Sequence, residues 1–431
     1  MKKIIGTDIY KAIRSTLILK PMATCPQFLF FAYMLITIYI IVFTSISSLS
    51  IYKISLSVAA VWLCYFSFIL GYKSIKTEVR SQHIASPQYL LWNKPWLKIF
   101  IILIISVFTI LCIRFYTGQS PLDVIFNLMT NNSTYYQYQL YFQEQQLGIL
   151  SLRKIPFILM LTITKLTIFI SYISFFFSRE KKNYLDYCYL FMIGACYLLF
   201  GLARGTAFEA FEIIILISFI LFKKFGKKDR LRLFIYIICM ALIFILYFRF
   251  NLERRSIDMH LLPMDIDYRP DSFIVKNLHG VSDILIMLFG YIGFGLFYIG
   301  SYIESIWINS PTQFIAGLVP FGYKLTGSSP PHDMMKEIID MGAHWHPDFV
   351  LFNEYIGYVG VLILCFTFGI VIKKLYYMKV DINILILAEF LIAVQLLSLF
   401  VGNFILASTP SKIIFFGTMA VILFKWPRRA Y

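Results

Sequence analysis

Charge is what this sequence has least of. Asp, Glu, Lys and Arg make up 14% of its 431 residues, against about 25% in a soluble globular chain. Length alone would allow two or three soluble domains. With 59% hydrophobic residues and a mean hydropathy of +0.75, the composition instead points to a bilayer as solvent. Cysteine is missing from the long polar stretch 251–347: six of the seven cysteines lie inside apolar runs, and Cys25 sits just before the first. No disulfide framework or thiolate zinc site is suggested. There is no Walker A sequence and no G-x-G-x-x-G, so nothing calls for a nucleotide. No internal repeat is visible. An apolar signal-peptide region is also missing, because Asp8, Lys11, Arg14 and Lys20 interrupt the first residues. A short amphipathic cytoplasmic helix is expected there instead.

What is present is a series of apolar runs of membrane-spanning length: Gln27–Ser48, Ile51–Gly71, Trp96–Ile113, Ile155–Phe177, Tyr184–Ala203, Thr206–Phe222, Leu233–Phe250, Phe349–Ile372, Ile382–Ile405 and Ser411–Trp426. An all-α polytopic bundle of about ten spans follows. An eleventh run, Ile284–Trp307, is rich in Gly and Tyr and carries Glu304. Threading ten spans from a cytoplasmic N-terminus puts 25 of the 39 Lys and Arg residues on the cytoplasmic side, including Lys73, Lys181, Lys182, Lys223 and Lys373. A single crossing by Ile284–Trp307 would turn Lys373, Lys374 and the C-terminal Arg pair outward. That run is therefore expected to be re-entrant, to lie along the outer surface, or to cross twice. The net charge of +16 reads as an orientation signal and an anionic-lipid-facing surface rather than a nucleic-acid footprint. The chain then forms a single transmembrane bundle, 1–431, with non-cytoplasmic loops at 114–154 and 251–347, the second bearing most of the candidate chemistry.

Three constellations lie on or next to the outer face. In Gly201-Leu202-Ala203-Arg204-Gly205-Thr206, the tip of a hairpin carries a guanidinium, and Thr206-x-x-Glu209 fits a capping box that would start the next span at Thr206. Free N–H groups beside an Arg suit a phosphate; a single Arg snorkelling to headgroups fits the motif equally well. Glu209 reads as a cap, and Glu212, one turn deeper, needs a partner. Arg249, Arg254 and Arg255 open the large loop, against the positive-inside trend. They suit a diphosphate, or headgroups with Glu253 and Asp258 nearby. His344-Trp345-His346-Pro347-Asp348 closes that loop and leads through Glu354 to Gly357-x-x-Gly360. His or Asp there can serve as general base, while the glycine pair suits helix packing. A metal held by His332, Asp333, His344, His346 and Asp348 ranks below a metal-free base, because the spacing matches no common site. Lys165 and Glu389 sit mid-span and suit buried structural pairs, although a transporter would use such residues.

The multi-span bundle, the outer Arg204-Gly205 hairpin, the late large loop and the His…Glu…Gly-x-x-Gly sequence resemble Wzy-type O-antigen polymerases. The related O-antigen ligases share the last pattern. His346 and His344 stand eight and ten residues before Glu354, on either side of the family spacing, so either fills the position. The resemblance implies a C-superfamily (GT-C-like) glycosyltransferase of the bacterial inner membrane, acting at the periplasmic face. It implies a glycan on undecaprenyl diphosphate as donor and a repeat unit on the same lipid as acceptor, with membrane lipids and a chain-length regulator protein as further partners. It implies that Arg204, Arg254 and Arg255, with Arg249, hold the diphosphate. It also implies that His346 or His344, with Glu354 and Asp348 nearby, handles the acceptor hydroxyl. No metal, cofactor or nucleic acid is expected. The competing expectations are a ligase and a lipid-linked oligosaccharide flippase.

Overall fold

The computed structural model describes residues 51–75, 94–129, 134–147, 151–178, 181–225, 230–254, 271–277, 282, 286, 294–304, 311–328, 347–375, 381–402, 405 and 408–424. Among these residues the chain is helical and has no strand. The helices are α1 (Ile51–Ser74), α2 (Pro95–Thr117), α3 (Pro121–Met129), α4 (Thr134–Glu144), α5 (Ile155–Phe177), α6 (Tyr184–Arg204), α7 (Phe208–Phe225), α8 (Arg230–Arg254), α9 (Phe273–Asn277), α10 (Phe294–Tyr302), α11 (Pro311–Leu318), α12 (Gly322–Thr326), α13 (Asp348–Leu375), α14 (Ile382–Ser398) and α15 (Thr409–Phe424). The expected N-terminal amphipathic helix and the first span, Gln27–Ser48, lie outside the described residues.

Five helices are long and apolar enough to cross a bilayer: α1, α2, α5 with the 3₁₀ turn before it, α6 and α13. The 23 residues of α2 reach about 35 Å at 1.5 Å per residue, enough for a hydrocarbon core of about 30 Å. These are the features of a helical membrane protein. Local chemistry sets the ends. Pro95 is the first residue of α2 and Pro156 the second of α5, within the first turn, where a missing N–H breaks no helical bond. Asn183 and Asp186 cap α6 reciprocally. Four more expected spans are helices α7, α8, α14 and α15.

The chain clusters into two units. The first comprises residues 1–83, 259–378 and 391–406. Its spine is α1 against α13. A Cβ on Gly71 would fall 1.9 Å from the Phe366 carbonyl oxygen, and one on Gly369 would fall 2.1 Å from that of Phe68, so only glycine permits this backbone approach. The Ser67 hydroxyl donates to the Leu362 carbonyl at 2.6 Å and the Tyr358 hydroxyl to that of Ala60 at 3.0 Å. Helix α10 also packs on α1, with Gly300 against the Lys53 backbone and Lys53 paired to Glu304 at 3.1 Å. Every residue from 295 to 303 is buried. This part of the eleventh run is therefore covered on all sides within the first unit.

The second unit comprises residues 84–258, 379–390 and 407–431. Helices α2 and α6 form its centre. Cys112, Ile113 and Tyr116 of α2 share one buried cluster with Phe200 and Ala203 of α6, Val124 of α3 and Leu147. The expected loop 114–154 is thus largely helical, as α3 and α4, and packs onto the ends of these helices.

Candidate functional site

The Arg204 turn is the most elaborated candidate in the second unit. Helix α6 ends in a Schellman motif. Gly205 takes φ +61°, its N–H bonds the Leu202 carbonyl at 3.0 Å, and the Thr206 N–H reaches back to Gly201 at 2.9 Å. A Cβ at Gly205 would lie 2.8 Å from the Tyr135 backbone nitrogen, so glycine also admits the start of α4. Across the turn, the Arg204 Nη1 donates to Glu209 Oε1 at 2.9 Å. The other oxygen of Glu209 accepts from the Thr206 hydroxyl at 2.8 Å. The guanidinium lies over the Tyr138 and Phe200 rings, 5.3 and 5.4 Å from their centroids. Glu209 is buried, while the Arg204 side chain keeps 27% exposure.

This differs from the expected capping box. Helix α7 begins at Phe208, and Glu209 turns its carboxylate to Arg204 and Thr206 instead of reaching back along the helix start. The arrangement is a planar guanidinium fixed by a carboxylate and two rings on a side chain that keeps some exposure.

The second arginine set is only partly described. Arg249 is half-buried on α8, Arg254 is the last residue of that helix, and Arg255 lies outside the described residues.

His344 and His346 also lie outside the described residues. The helix they lead into belongs to the first unit. Asp348 is its first residue, fully buried, and accepts from the Gln395 amide at 3.0 Å. Next to it the Phe349 N–H bonds the Leu399 carbonyl at 3.2 Å. One turn further, the Asn353 amide donates to the Tyr302 hydroxyl, which also meets that of Tyr323 at 3.3 Å. Glu354 is half-buried. Burial raises the Tyr323 phenol above its ordinary value, with the nearby Glu354 carboxylate adding to the rise. Asp348 thus anchors a helix start, and Glu354 is the more accessible carboxylate.

Gly357 does more than pack. With φ +65° and ψ 168° it breaks α13 internally. A Cβ there would fall 2.5 Å from the Val319 backbone. Two residues before the break, the Tyr355 carbonyl accepts from the Phe321 N–H of the α11–α12 connection at 3.2 Å. A segment of the large loop is thereby pinned to the helix that carries Glu354.

Buried ion pairs form a further polar set in the second unit. Lys165 of α5 donates to Glu212 of α7 and to the Ser411 hydroxyl of α15, and it lies over the Phe169 and Phe208 rings. The Tyr197 hydroxyl donates to the other oxygen of Glu212 at 2.5 Å. Glu389 pairs with Lys223 at 2.6 Å. Each mid-span charge that the sequence exposes has a counter-ion on another helix. Of the polar groups just described, Tyr138 stands out in the sequence only as one tyrosine of the aromatic loop 114–154, and Tyr302 only through its four-residue spacing from Tyr298, while Tyr197 and Asn353 carry no sequence signal.

Among the described residues no group of three or more His, Cys, Asp and Glu side chains is placed to hold a metal ion. Comparison with protein-family models, curated proteins and solved structures finds no match.

Proposed function

We propose that this chain is an O-antigen or polysaccharide polymerase of the bacterial inner membrane. In this reading ten spans cross the membrane, both termini are cytoplasmic, and residues 251–347 face the periplasm. The acceptor is a repeat unit on undecaprenyl diphosphate. Its sugar hydroxyl attacks the anomeric carbon of a glycan chain on a second undecaprenyl diphosphate. A glycosidic bond forms, the bond from the anomeric carbon to the diphosphate breaks, and undecaprenyl diphosphate leaves. Arg204, with Arg254 or Arg255 and with Arg249, meets the charge of the leaving diphosphate. His346 or His344 takes the acceptor proton, and Glu354 orients that side of the reaction. The observation that carries the reading is the Arg204 turn: a guanidinium held on a glycine-shaped corner by Glu209, Tyr138 and Phe200. A snorkelling arginine needs none of that construction.

A second reading, a lipid-linked oligosaccharide flippase, is favoured by the buried Lys165–Glu212 and Lys223–Glu389 pairs. A deletion strain examined by lipopolysaccharide gel separates the possibilities. A polymerase defect leaves core plus one repeat, whereas a ligase or flippase defect leaves bare core.

A further inference from the structure

Helix α3 has three differently furnished faces. At about 100° per residue, Leu122, Ile125 and Phe126 fall on one arc about 100° wide. They are 77%, 46% and 64% exposed. Asp123 is exposed on a second face and Asn127 lies beside it, while Val124 on the third is fully buried. Ser120 and Asp123 cap the helix start reciprocally: the Ser120 N–H donates to the Asp123 carboxylate at 2.8 Å, and the Asp123 N–H donates to the Ser120 hydroxyl at 3.2 Å. The cap fixes the rotation of these faces and keeps a carboxylate on the polar one.

The position of α3 is set just as firmly. It starts at Pro121, after the spanning helix α2 ends at Thr117 and the chain turns through Gly118 at φ +70°. Val124 packs in the same buried cluster as Tyr116, from the last turn of α2, and Ala203, from the last turn of α6. Helix α3 therefore lies at the level where two spans reach the end of the hydrocarbon core. The outward surface of α2 is apolar as far as Leu111, with Val107, Ile110 and Leu111 all exposed, and the exposed Arg114 in its last turn marks the headgroup level.

We propose that α3 is an in-plane interfacial helix: Leu122, Ile125 and Phe126 insert into the acyl-headgroup boundary of the bilayer, and Asp123 faces water. The occupant of the apolar arc is lipid, because the arc begins just past the end of a span whose outward side chains are apolar up to the exposed Arg114. Nine residues are too few to cross a bilayer, but a helix with one apolar and one charged face lies stably at this depth. Since Ala203 shares the cluster with Val124, the neighbouring Arg204–Glu209 pair sits at headgroup depth. An anion carried on a membrane lipid reaches that depth by lateral diffusion.

The test uses the full-length protein in nanodiscs of phosphatidylcholine and phosphatidylglycerol. A fluorescent non-canonical residue is placed in turn at Leu122, Ile125, Asp123 and Asn127, two positions per face, and only monodisperse preparations are read. Acyl-brominated lipid should remove most of the emission at 122 and 125 and little at 123 and 127, with aqueous acrylamide giving the reverse order. Strong acrylamide quenching at 122 and 125 would place the arc in water and overturn the proposal. Shielding of 122 and 125 from both quenchers would show protein covering the arc and overturn it equally. The outcome does not depend on glycosyltransferase activity.

Discussion

The Arg204 guanidinium lies 2.9 Å from the Glu209 carboxylate, with the Gly205 turn between them. The carboxylate is buried, so it both orients the arginine and depends on it. Arg204→Ala leaves an uncompensated buried charge, which typically costs about 3–5 kcal/mol. Adding Glu209→Gln should restore most of the lost thermal stability in detergent. On the proposed polymerase reading it should not restore O-antigen ladders, because the guanidinium that would grip the phosphate is still gone. Arg204→Lys should keep the pairing but polymerise poorly, since an ammonium cannot offer a planar fork. Wild-type ladders from the stabilised double variant would remove Arg204 from the chemistry.

Gly205→Ala is expected to disturb the site without touching a charged group. A non-glycine residue at φ +61° stores about 1–3 kcal/mol of strain, and the new methyl would meet the Tyr135 backbone. Helix α4 should be displaced, taking Tyr138 off the guanidinium. Protease access within 134–144 should rise and ladder length should fall together. Unchanged protease access would mean the turn tolerates the methyl.

Much of the helical layout could be read from the chain alone. The run Ile155–Phe177 is helix α5 to the residue, because Pro156 stands in its first turn and Ser178 leaves the helix in extended backbone. The start of α7 could not be read. Thr206-x-x-Glu209 matches a capping box, but local pattern does not record that Arg204 competes for the same carboxylate. Burial of α10 was hidden for another reason: a helix apolar all round shows no periodicity to separate surface from interior. Long-range partners were equally hidden. Lys165 and Glu212 are 47 residues apart, and nothing in either run names the other.

The Lys165–Glu212 pair separates scaffold from transport. The two side chains keep 4% and 10% exposure, so Lys165→Met alone should destabilise by about 3–5 kcal/mol. Lys165→Met with Glu212→Leu replaces the pair by apolar groups and should recover the fold. If the pair is scaffold, that double variant still makes full ladders in cells. Bare core from a stably inserted double variant would favour the flippase reading.

Orientation is checked by fusions. A reporter active only in the cytoplasm, joined after Lys228, should signal, and one joined after Gly327 should not. A periplasmic reporter should give the opposite pair. Like signals from both sites would overturn the ten-span threading and the periplasmic placement of the large loop.

The base is tested by what its loss changes and what it spares. General-base catalysis contributes on the order of 10²–10⁴ in rate. On the proposed polymerase reading, His346→Ala should slow polymerisation of purified lipid-linked repeat by that amount, and binding of the lipid-linked donor should barely change, because there the arginines would supply it. His344→Ala serves as the control, since residues two apart in an extended segment point to opposite sides. Asp348→Asn should act on stability more than on rate, given a carboxylate with no exposed surface and a bond to Gln395. Glu354→Gln should lower the rate without unfolding the protein, because Glu354 keeps exposed surface beside Tyr323. If both histidine variants keep full activity while Glu354→Gln loses the acidic limb of the pH–rate profile, the carboxylate is the base. Arrest by chelator would instead make the His332–Asp348 segment a metal site and remove the metal-free mechanism.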